Sequence, residues 1–190
     1  QSLSNLVDNP QADDGASDRY SGHGTHVAGS AIGNGTKATS LGLSPVKGVA
    51  PEAELIFQAI EQTPKWNPQA LLTFLGQRSL PPVSGLYGLP DDVTELFRHA
   101  YTEGSRIYSI SWGGGIPGSY SSTRSYVLDE FVFQNKDFLV VVAAGNSGRH
   151  SSSGIPAIDS MSVDPPGTAK NCLTVGASEN DRARQFSDTY

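Results

Sequence analysis

Residues 138–144 read FLVVVAA, seven apolar side chains in succession. Successive side chains of a strand point to opposite faces, so a run without polar alternation offers neither face to water. Such a run suits a central strand of a parallel sheet, covered on both sides. Parallel strands need crossover connections, usually helices, and the neighbouring segments supply them. Arg106–Ser111 (RIYSIS) reads as a strand, Ser125–Asn135 (SYVLDEFVFQN) as a helix, and Cys172–Ala177 (CLTVGA) as a further strand. Upstream, Glu54–Ile60 (ELIFQAI) reads as a strand and Asp92–Gly104 as a helix. In that helix Val93, Leu96, Phe97, Ala100 and Tyr101 share one face; Asp92 and Glu95 have capping-box spacing, and Gly104 supplies the stop.

Alternation of this kind predicts an α/β fold with right-handed crossovers. In open sheets of this class ligands bind at the carboxyl ends of the strands. Two strands end there in glycine-rich turns, SWGGG at 111–115 and AAGNSG at 143–148. A binding site is expected at that edge. A chain of 190 residues is long enough for one domain with a sizeable core. A net charge of −6 without a basic cluster argues against a nucleic-acid surface. No apolar run approaches the ~20 residues of a membrane span, and the opening at Gln1 carries no signal-like stretch, which leaves targeting unread. Cys172 is the sole cysteine and reads as a small core residue on its strand. Gly33–Lys47, Thr63–Pro90 (five prolines and an apolar LLTFLG) and Arg149–Gly167 read as loops.

The chemistry-bearing stretch is SGHGTHVAG at 21–29. Each glycine costs about 1 kcal/mol against alanine in a helix interior, so Gly22, Gly24 and Gly29 call for a reason beyond propensity. The stretch is similar to the histidine motif of subtilisin-like serine proteases, the subtilases. Other blocks follow in family order: GVAPEAEL at 48–55, SISWGGG at 109–115, VVVAAGNSG at 140–148 and AKNCLTVGASEN at 169–180. Five ordered blocks spanning most of the chain make the resemblance specific.

The resemblance implies a three-layer α/β sandwich with a mostly parallel sheet, incomplete at both ends, and one partial peptidase domain over residues 1–190. It implies peptide-bond hydrolysis by Asp-His-Ser acyl transfer, with His23 as the general base. Small neighbours at the start of a buried helix would hold that imidazole in place and let backbone and substrate approach. A structural histidine at a helix start is the plain alternative. His26, three residues on, invites zinc, but HGTH lacks the glutamate of a zincin motif and no third ligand stands out. Asn146 is implied as the amide donor to the developing oxyanion, against the alternative of an ordinary turn asparagine. Ser147 does not sit in a G-x-S-x-G elbow and is rejected as nucleophile. Ser111, Trp112 and Gly113 are implied to pair with an extended substrate and to border the pocket for the side chain before the cut, with Gly145 on the opposite wall. Trp112 fits ordinary core equally well.

The chain also departs from the family pattern. Asp8 and Asp14 are too close to His23 and lack the D-[ST]-G context of the family aspartate; Asp18 is off by one from an acidic position upstream of the histidine. No G-T-S-M-A-like motif follows Gly167-Thr168-Ala169, and the chain stops before it is due. A fragment of a protease, with Asp and Ser outside these residues and inactive alone, is the simplest account. A pseudoprotease or peptide-binding module on the same fold is the alternative. No cofactor is expected for the chemistry. Calcium is unsupported, since Gly33–Lys47 holds no carboxylate. Expected partners are a polypeptide substrate and a propeptide, with neither nucleic acid nor membrane, and the resemblance implies a secreted protein. Asn34-Gly35-Thr36 has the glycosylation pattern.

Overall fold

The computed structural model describes residues 21–63, 85–121, 123–148 and 160–178. The chain divides into two compact units, Gln1–Asp91 and Asp92–Tyr190.

In the first unit, helix α1 spans His23–Ile32 and a short α2 spans Thr36–Ser40. Helix α1 starts at the histidine. Gly22 just before it has φ +66°, a left-handed conformation that glycine adopts without a Cβ penalty. The motif leads one to expect a buried helix, yet none of its residues is buried. Its side chains are mostly small, so it has little apolar surface with which to pack, and backbone contacts hold it instead. The last carbonyls of a helix lack intrahelical partners. Here the GVA stretch returns to meet them: the amide of Val49 donates to Ser30 O (3.1 Å), that of Ala50 to Ala31 O (2.8 Å), and that of Gly48 to Gly33 O (2.7 Å). A Cβ on Gly48 would lie 2.7 Å from Gly33 N and 2.8 Å from Gly29 O, so only glycine fits the return.

Glu54–Ile60 does not form the expected strand. A strand exists only where a neighbour takes up its amides and carbonyls, and among the described residues pairing is confined to the end of this run. There Gln62 bridges Gly85, and the Gly88 amide donates to Ile60 O at 2.9 Å. The LLTFLG patch and Asp8, Asp14 and Asp18 lie outside the described residues.

The second unit contains α3 (Thr94–Thr102), β1 (Ile107–Ile110), α4 (Ser125–Gln134), β2 (Leu139–Ala143) and β3 (Leu173–Val175). The strands form a parallel sheet in the order β1-β2-β3, with Ile110 opposite Val142 and Val142 opposite Thr174. This is the α/β arrangement expected from the alternation. The expected strands and helices are present, each trimmed by a residue or more except at the Ser125 start of α4. Asp92 does stand at the mouth of α3, but its carboxylate accepts from the amide and hydroxyl of Thr94 (3.0 and 2.6 Å) instead of forming a box with Glu95.

Helices α3 and α4 pack on one face of the sheet. Val93, Phe97, Ile110, Leu128, Phe131, Phe138, Val140 and Val142 make that core. Phe97 meets Tyr108 edge-on at 5.2 Å and Phe131 meets Phe138 at 5.4 Å, the edge-to-face geometry that aromatic quadrupoles favour. Along β2 the residues alternate despite the unbroken apolar sequence. Val140 and Val142 are buried, whereas Leu139 is 46% exposed on the opposite face. Within this unit the helices therefore cover one side of β2.

Two polar devices fasten the turn that feeds β3. Asp129 of α4, 8% exposed, accepts from the amides of Lys170 (2.8 Å) and Asn171 (2.6 Å) and from the Tyr120 hydroxyl (2.7 Å). The buried Ser125 hydroxyl bonds that of Thr168 (2.8 Å), which donates to Ser119 O (2.8 Å).

Candidate active site

The parallel sheet sends β1 and β2 in the same direction, so both glycine-rich turns emerge at its carboxyl edge. Ser111, Trp112 and Gly113 continue from β1; Gly145 and Asn146 follow β2. Strand pairing extends past β2 through the Ala144 amide, which donates to Val175 O at 2.9 Å. Ser111 and Trp112 are half-buried, and Trp112 packs against the aromatic core. Gly113 is exposed. Gly114 and Gly115 have φ +150° and +116°, and Arg124 Nη1 donates to Gly114 O at 2.7 Å, which fixes the turn.

Asn146 is exposed, and its amide takes no partner among the described residues. This is the condition of a donor available to a ligand. Gly145 before it has φ +103°.

A third segment, within the stretch whose composition reads as loop, joins the two turns. The Asp164 amide donates to Ala144 O (3.0 Å), the Gly114 amide to Pro165 O (2.9 Å), and the Gly118 amide to Val163 O (2.7 Å). Pro165, Pro166 and Gly167 are buried, with a cis bond between the two prolines. The stretch 163–167 thus bridges the two turns. It carries the Asp164 side chain against Gly145: a Cβ built there would lie 2.8 Å from Asp164 Cγ. The Ser147 hydroxyl donates to this carboxylate at 3.1 and 3.3 Å. No sequence motif singles out Asp164, because its position depends on a loop returning across two strand ends. The one local signal is the rigid Asp-Pro-Pro-Gly that precedes β3. Ser147, rejected as a nucleophile, has this bond to a carboxylate as its observed role.

His23 lies in the other unit, exposed at the first position of α1. Its amide donates to the Ser21 hydroxyl oxygen at 3.1 Å, and that hydroxyl donates to the Glu61 carboxylate. His26 stands three residues on in the same helix. Among the described residues no three His, Cys, Asp or Glu side chains gather as a metal site would require. No helix among them is long and apolar enough to cross a membrane.

The model of the subtilase family matches residues 2–189. The chain is 32% identical over 175 residues to the serine protease/ABC transporter B family protein tagD of Dictyostelium discoideum, covering 90% of this chain and 8% of that protein. It is 30% identical over 162 residues to a subtilisin of Bacillus sp. (strain TA39), covering 84% of this chain and 30% of that protein. To an intracellular serine protease of Paenibacillus polymyxa it is 29% identical over 188 residues, 97% of this chain and 45% of the relative. The chain therefore spans less than half the length of each of these relatives. With the ordered motifs, the parallel sheet and this match over nearly its whole length, the chain belongs to the subtilase family.

Proposed function

We propose that this chain is the central part of a serine endopeptidase that cuts polypeptides by acyl transfer. The carrying observation is Asn146, an exposed amide without a partner among the described residues, set at the end of β2 beside the glycine turn of β1 in a subtilase chain. In this reading the His23 imidazole takes the proton of an attacking serine hydroxyl and returns it to the leaving amine. The Asn146 amide donates to the oxyanion that develops on the scissile carbonyl. Ser111–Gly113 pairs with the extended substrate, and Gly145 forms the facing wall of the pocket for the residue before the cut. In this reading the serine and its aspartate are supplied from outside these residues, which alone are inactive. A propeptide and secretion belong to the same reading. The name of one relative points the other way on the last point, since that protein is called intracellular.

The test is to treat the folded parent protein with a fluorophosphonate, which reacts with activated serines. The expected result is labelling that is lost in His23→Ala. Removing the oxyanion donor, as in Asn146→Ala, is expected to lower kcat by about 10²–10³-fold with KM little changed. Absence of labelling of the folded wild type would overturn the enzymatic reading and leave a peptide-binding module.

A further inference from the structure

Between the two glycine turns lies a carboxylate that its described neighbours do not neutralise. Asp164 is half-buried, and its carboxylate lies against Gly145. Its Cβ is 3.6 Å from where a Cβ on Gly113 would stand, so the side chain lies against both glycines assigned to the pocket walls. Its backbone is tied to the 144–148 turn through Ala144 O, and the adjoining Pro165 O is tied to the 111–115 turn through Gly114.

A carboxylate offers about four lone-pair positions. The Ser147 hydroxyl is the side-chain donor the structure gives it, at 3.1 and 3.3 Å. The ion pair formed among the described residues, Arg106 with Asp137, does not involve it. The nearby Arg124 directs its guanidinium to Gly114 O. Among the described residues, acceptor capacity and negative charge are therefore both left over.

We propose that Asp164 sets the specificity of this site by taking the side chain of a lysine or arginine immediately before the scissile bond. The inference rests on the peptidase function proposed above and names its substrate class. An apolar side chain seated there would desolvate the carboxylate without pairing it, which is costly. A cationic one supplies charge-assisted hydrogen bonds at the same place. Discrimination thus comes from a penalty as well as an attraction. Gly113 and Gly145 keep the approach open, and the Ser147 hydroxyl, free to rotate, can yield an oxygen lone pair to the incoming group.

The test uses the parent protein and peptides that differ only in the residue before the cut. Peptides with Arg or Lys are expected to have higher kcat/KM than those with Leu, Phe or Glu. The ratio of Arg to Leu is expected to fall by about 10²-fold in Asp164→Asn and in Asp164→Ser, as when one member of a buried charge pair is truncated. Benzamidine, an aryl cation, is expected to compete with the Arg peptide in the wild type, which covers the case of variants that fail to fold. A wild type that prefers apolar residues, an unchanged ratio in folded variants, or no competition by benzamidine overturns this assignment. Loss of fluorophosphonate labelling in the folded wild type is a different result: it overturns the peptidase function itself.

Discussion

Gly145 joins two constraints in one residue. Its φ of +103° disfavours any L side chain, and a Cβ would press on Asp164. Gly145→Ala is therefore expected to destabilise the fold by about 1–3 kcal/mol, read as a drop in Tm. Part of that cost is expected to return in Gly145→Ala combined with Asp164→Gly, because the second change removes the clashing atoms while the backbone strain stays. A cost that adds without coupling would show that conformation alone makes the glycine necessary. Gly145 and Asn146 are legible in the amino-acid sequence, because a strand ending in AAGN fixes where the backbone turns. Asp164 is not. Its role depends on contacts with residues about twenty and fifty positions upstream, and no local pattern encodes them.

At the scale of elements, the turn before β3 depends on one buried carboxylate. Asp129 accepts two backbone amides and a phenol. Asp129→Ala leaves the Lys170 and Asn171 amides without their acceptor and is expected to cost about 3 kcal/mol. Thermal or urea unfolding of the parent protein measures it, and a loss within about 0.5 kcal/mol, the range of an ordinary surface change, would show that water replaces the acceptor readily. Phe97 tests the core from the other side: fully buried between α3 and the sheet, it is expected to lose about 3–5 kcal/mol on change to Ala. Helices α3 and α4 and the strands β1 to β3 are readable in the sequence because period and composition agree in each. Glu54–Ile60 shows the limit, since strand propensity without a bonded neighbour produces no strand. The burial expected of α1 fails for a related reason. Glycine and alanine mark close backbone approach as readily as burial, and here the approach is that of Gly48–Ala50.

For the whole molecule, pH response follows from groups far from the site. The Thr94 hydroxyl and amide hold the Asp92 carboxyl below the ordinary range; the Tyr101 hydroxyl, with Arg106 beside it, does the same for Asp137. A carboxyl with a lowered folded pKa adds stability above its unfolded pKa and loses it as pH falls through the folded one. The stability linked to these two carboxyls is thus expected to be lost as pH falls from the ordinary carboxylate range through their lowered values, and Asp137→Asn is expected to flatten that limb of a Tm-against-pH curve. At the alkaline end, the bond to Asp129 pushes Tyr120 up to about 12, and burial pushes Tyr108 up to about 12. Unfolded tyrosines titrate near 10. The stability linked to these two is therefore complete below about pH 10 and lost as pH rises towards 12. A phenolate absorbance titration should show Tyr108 and Tyr120 ionising latest, with Tyr87 and Tyr101 also raised above the ordinary value. If all ionise together near 10 in the folded protein, the Tyr120–Asp129 bond does not persist in solution.

The bonds that tie residues 163–171 to the strand ends, to Ser125 and to Asp129 have an evolutionary corollary. Each of those anchor points lies on the strand ends, on α4 or on the loop between β1 and α4. None of these bonds passes through the Asp164 side chain, so the residue at 164 can change while the segment keeps its place. In such an architecture the position of the segment and the charge it carries are separately heritable traits, so lineages can vary one without the other.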